Sequence, residues 1–149
     1  MKKASILLVD DQEGILETLS AILEEKGYRT DTAKTGMEAI EKAKTNFYNV
    51  ALLDIRLPDI EGTKLLAKIE ETTPRMVKIM ITGYASLENA MEALNQGADA
   101  YIMKPVDPEN LLKVINEKLK EQKEAEKMSQ EKVAQWIETR ARKLEKGQL

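Results

Sequence analysis

Residues 50–62 read VALLDIRLPDIEG: a four-residue apolar run, Val50 to Leu53, stops on Asp54, with Pro58 and Gly62 soon after. A short unbroken apolar run bounded by turn residues reads as a strand covered on both faces, and such strands belong to parallel sheets. Inside that sheet a carboxylate is expensive; at its rim it is not. Asp54 therefore marks where the strand leaves the core.

The same pattern recurs outward from this stretch. ILLV (6–9), VKIMI (77–81) and AYIM (100–103) are further short apolar runs, whereas YRTDTA (28–33) alternates with polar residues and suits a sheet edge. Amphipathic segments lie between them. Ile15, Leu19, Ile22 and Lys26 follow helical spacing, with Gly27 as a C-terminal cap. Thr35 and Glu38 form a capping-box pattern ahead of Ala39, Ile40 and Ala43. Leu65, Leu66 and Ile69 mark a third helix. Ser86 caps a fourth, with Ala90, Met91 and Leu94 on its apolar side and an end near Gly97. Asp107 and Pro108 suit the cap and first turn of a fifth. Five β-α repeats predict an α/β fold with helices on both faces of a parallel sheet. With 149 residues the chain is too short for an eight-fold barrel of ~250. A five-stranded, doubly wound, flavodoxin-like sheet in the order 2-1-3-4-5 remains, with a helical C-terminal extension.

In such a sheet ligands bind outside the carboxyl ends of the strands, at the switch point. Strand one ends in Asp10-Asp11, strand three in Asp54, strand four in Thr82 and strand five in Lys104-Pro105. Singly these are an N-cap, a turn residue, a loop hydroxyl and a solvated charge. Together they are a constellation. Three converging carboxylates repel one another unless a cation sits among them, and an oxygen-only set suits a hard ion, Mg²⁺ first and Mn²⁺ second. A lysine and a threonine facing that ion suit a phosphoryl group, with a carboxylate as its nucleophile.

At these residues the sequence resembles the receiver domain of two-component response regulators, of the chemotaxis-regulator type, over roughly residues 4 to 120. VDD (9–11), LLDIRLPDIEG (52–62), ITGYA (81–85) and AYIMKP (100–105) carry the likeness, in the family's order. The resemblance implies that Asp54 is the phospho-acceptor, taking its phosphoryl group from a sensor histidine kinase or a phosphotransfer protein. It implies direct metal coordination by Asp11, Asp54 and the Arg56 backbone carbonyl, with Asp10 acting through water. Lys104 would pair with phosphoryl oxygens, and the Lys104-Pro105 bond would be cis. Thr82 and Tyr101 would be the switch pair. Arg56 and Tyr84 occupy the positions that tune phosphate lifetime, and both are bulky, which predicts slow self-dephosphorylation. Such a domain signals rather than catalyses turnover.

The chain has no histidine and no cysteine, so the donor must be another molecule and disulfide and thiol chemistry are excluded. A net charge of −3 argues against nucleic acid, and no stretch approaches the ~20 apolar residues of a membrane span. The expectation is a cytoplasmic receiver over 1–120, acting through an unknown downstream protein. The tail over 121–149 is expected to be helical, either continuing the fifth helix or restarting near Ser129. Val133, Trp136, Ile137, Arg140, Ala141 and Leu144 fall on one side of it, open to dimerisation, to folding back or to a partner. A homodimer through a receiver face is a further option. Two rivals compete: the receiver part of a longer transcription-activating regulator, and an aspartate-nucleophile phosphatase. The latter wants a second acid where this chain has Arg56.

Overall fold

Strands β1 (Ser5–Val9), β2 (Arg29–Ala33), β3 (Val50–Asp54), β4 (Val77–Thr82) and β5 (Ala100–Met103) form one parallel sheet. Their order is β2-β1-β3-β4-β5, as the strand patterns predict. The computed structural model describes residues 4–72, 75–83, 91–93, 95 and 97–145. Helices α1 (Glu13–Glu25), α2 (Gly36–Thr45) and α3 (Gly62–Thr72) follow the first three strands, and a C-terminal helix spans Pro108–Glu145.

Alternation along the strands splits the core into two layers. Leu8, Leu52, Ile79 and Ile102 face α1 and the C-terminal helix, while Leu7, Leu53 and Met80 face α2 and α3. All five residues of β3 are buried, as expected of a central strand.

Helix ends follow the capping chemistry. Thr35 accepts a hydrogen bond from the Glu38 N–H at 3.1 Å. Gly27, at φ +90°, donates to Glu24 while Tyr28 donates to Leu23, which closes α1 with a Schellman turn. The face of α1 differs from expectation by one position. Leu16, Leu19 and Leu23 are buried, Ile15 and Ile22 flank them, and Lys26 is exposed. An apolar band two residues wide leaves the exact seam to packing.

The predicted fourth helix falls largely outside the described residues, including Ser86, Ala90 and Leu94. Residues 91–93 and 95 are helical, and Gly97 has φ +105°. Met91 is exposed and Ala93 is buried, so Met91 does not lie on the packed side as expected. β5 is the second edge, as the predicted order requires, but of its residues only Ile102 is buried, so it is not the covered strand that its apolar run suggests. A four-residue run is too short to tell a half-covered strand from a covered one.

The C-terminal helix is continuous through Ser129, with no restart. Its 38 residues span roughly 57 Å at ~1.5 Å per residue. Leu111 and Ile115 anchor its first turns with no exposed surface. Each contributes roughly 1.5–3 kcal/mol by burial.

Candidate functional site

Register carries the polar groups to one rim. Val9 pairs with Leu53, which sets Asp10 level with Asp54; Asp54 pairs with Ile81, one residue before Thr82. Thr82 pairs with Met103, one residue before Lys104. Hydrogen bonds extend the ladder past the strands, from Asp10 N–H to Ala33 and from Lys104 N–H to Thr82.

Carboxylate oxygens of Asp10, Asp11 and Asp54 lie within 4.8 Å of one another. Asp10 and Asp54 are buried and Asp11 is exposed, so the cluster opens to solvent on one side. The Lys104 ammonium reaches in to 2.9 Å from Asp10 and 3.7 Å from Asp54. Gln12 N–H donates to Asp10 and Arg56 N–H donates to Asp54. Tyr101 is hydrogen-bonded to the buried Thr82 side chain, and the Lys104-Pro105 bond is cis. The Arg56 side chain is exposed, and Tyr84 lies outside the described residues. Three carboxylates converging without nitrogen or sulfur ligands make a donor set that fits a hard divalent ion.

The carboxyl of Asp54 titrates above its ordinary value of 3.8. Burial is the main cause and the Asp10 charge adds to it, against the opposing Lys104 charge and the Arg56 N–H. Folding thus favours the protonated acid, so ionised Asp54 destabilises the fold at neutral pH and the penalty disappears below pH 3.8. Asp54→Asn is expected to melt at higher temperature than the parent at pH 7 without divalent ions, with the gap closing in acid. Equal melting at pH 7 would refute this.

One residue given no role from sequence supports the site. Asp59 accepts from the Gly36 and Met37 N–H groups at 2.8 and 2.9 Å, tying the loop after β3 to the start of α2. Those two bonds hold its carboxyl below the usual range. Its partners lie 23 and 22 residues away, so no local signal announces them.

The family model described as response regulator receiver domain matches residues 6–116. The chain belongs to the receiver domain family. This receiver is 53% identical to a CheY-like receiver domain protein from Methanospirillum hungatei, with a TM-score of 0.80 over 82% of this chain and 98% of that one. It is 34% identical over 118 residues to the transcriptional regulatory protein ZraR of Klebsiella oxytoca, covering 79% of this chain. It is 32% identical over 120 residues to GlrR of Escherichia coli, covering 80% of this chain. It spans 27% of the length of each of these two regulators. Among the described residues no helix is long and apolar enough to cross a membrane.

Proposed function

We propose that this receiver takes a phosphoryl group onto Asp54 from a phosphohistidine on a sensor kinase or phosphotransfer protein. The observation that carries the reading is the Asp54 carboxylate at a strand end, with Asp10, Asp11 and Lys104 converging on it. An Asp54 oxygen forms the new P–O bond as the P–N bond to the donor imidazole breaks, the electron pair staying on nitrogen. Asp11, Asp54 and the Arg56 carbonyl would hold Mg²⁺, or Mn²⁺, with Asp10 acting through water. The ion supplies positive charge against the phosphoryl oxygens in transfer. Lys104 moves from Asp10 to those oxygens, and Thr82 donates its hydroxyl to them. Since Thr82 is bonded to Tyr101, its displacement changes what Tyr101 packs against.

In this reading the receiver covers 1–120, works in the cytoplasm and does not turn over a substrate. Its output is contact with a downstream protein. A second output is favoured by the regulators of which this chain spans about a quarter: the receiver part of a longer transcription-activating regulator.

Incubation with acetyl phosphate and Mg²⁺ is expected to load one phosphoryl group per chain, by intact mass. Asp54→Ala removes it and Lys104→Ala slows it. The bulky residue types at Arg56 and Tyr84 predict slow decay of the adduct. Continuous release of phosphate with no stable adduct would indicate a phosphatase instead. A half-life of seconds would refute the slow decay.

A further inference from the structure

The C-terminal helix carries an apolar stripe that nothing in the chain covers among the described residues. Val133, Trp136, Ile137 and Leu144 are 55–63% exposed, far past the receiver body. Among the described residues, the last helix residue with a hydrogen bond to that body is Gln122, which donates to the carbonyls of Asn49 and Arg75. Beyond it, Ala125, Glu126 and Ser129 overhang a groove of about 310 Å³ whose other wall includes Arg75 and Met76.

Spacing fixes which way the stripe faces. Leu111, Gln122, Val133 and Leu144 follow at eleven-residue steps, as do Ile115, Glu126 and Ile137, and Lys118, Ser129 and Arg140. Eleven residues bring a helix of ~3.6 per turn round three times with a drift of only about 20°. The stripe therefore lies on the side of the helix that packs against the receiver, displaced along the axis beyond it.

We propose that this stripe is covered by the same stripe of a second copy, with the two helices antiparallel. The residues match under reversal. With Glu138 opposite Thr139, Val133 meets Leu144, Trp136 meets Ala141 and Ile137 meets Arg140. The large ring thus faces the smallest side chain. At the edge Lys132 meets Glu145, and no two like charges are opposed between 132 and 145. The Arg140 guanidinium already lies over the Trp136 ring, 5.3 Å from its centroid, so the one charge near the seam is drawn aside.

A parallel pair fails on both counts. It would set Arg140 against Arg140 and Lys132 against Lys132. It would also drive the partner's first turns into the sheet side of the helix, where Leu111 and Ile115 are buried. In the antiparallel pair those turns run outward past residue 145. The shared contact is about 20 Å long at ~1.5 Å per residue, so the dimer is weak and concentration-dependent.

Sedimentation equilibrium on the full chain is expected to show a mass rising from 16.8 kDa towards twice that value with concentration. Trp136→Glu combined with Ile137→Glu should hold it at the monomer mass, with helical circular dichroism and phosphoryl uptake retained. Because the chain has no cysteine, orientation can be read directly. Val133→Cys and Leu144→Cys chains, mixed in equal amounts and mildly oxidised, should give the mixed disulfide, while each variant alone should give little. A monomer at every concentration overturns the proposal, as does cross-linking of either single variant with itself as efficient as the mixture.

Discussion

Gly62→Ala is expected to destabilise the protein by more than ~3 kcal/mol, at or beyond the upper range for overpacking. A β-carbon there would stand 2.5 Å from Ile55 Cα and 2.6 Å from the Asp54 carbonyl oxygen. Both are backbone atoms and neither can rotate away. The approach is tight because Gly62 N–H donates to the Ile55 carbonyl at 2.7 Å, and Arg56 bridges to Glu61 across the same loop. Relief of the clash has to move the residues that aim Asp54, so phosphoryl uptake should fall with stability. Two other glycines calibrate the effect. At Gly36 the added carbon meets the Ile60 methyl at 2.0 Å, a side chain that can turn, so Gly36→Ala should cost less. At Gly14, in the first turn of α1, nothing lies within 4 Å, and Gly14→Ala should stabilise by roughly 0.5–1 kcal/mol. Chemical denaturation of the three variants decides it: a Gly62→Ala loss under 1 kcal/mol, or a smaller loss than Gly36→Ala, would show that the loop yields easily.

The legible parts of this protein are those whose cause is local. Strand runs and their polar ends point to the sheet, its order and the rim, because short strands of similar length leave the core together. Asp10, Asp54, Thr82 and Lys104 were readable for that reason: each is the first polar residue after an apolar run. What escaped depends on a partner far along the chain. Asp59 looks like any turn aspartate until α2 is placed beside it. The seam of α1 and the face of Met91 were misjudged because apolar residues occupy adjacent positions, and only packing selects among them. The exposure of β5 was hidden because its four residues are apolar whichever way they face.

Lys78 is the sharpest case of a residue hidden by its context. It sits inside VKIMI, an apolar run in every other position, and it is 1% exposed. Its ammonium lies 2.5 Å from Glu70 Oε2 on α3 and donates to the Met76 carbonyl. Its backbone is held on the other side, where its N–H donates to the Asp99 carboxylate. Gly97 leaves the space Glu70 occupies, since a β-carbon there would come within 3.0 Å of that same oxygen. The contact is close without being aligned as a hydrogen bond, so its value is chiefly one of charge against charge. Removing one partner of a fully buried pair costs roughly 3–5 kcal/mol; Glu70 is 40% exposed, which lowers the expectation for Glu70→Ala to roughly 2–3 kcal/mol. The loss comes from stranding Lys78 and not from losing the carboxylate. Lys78→Met added to Glu70→Ala should therefore recover most of it, as an apolar chain of similar length fills the interior without a charge. The double-mutant cycle should give a coupling above ~1 kcal/mol, as contacting groups do. If Glu70→Ala proves nearly silent, or Lys78→Met adds its own loss on top, the pair does not hold α3 against β4 by charge.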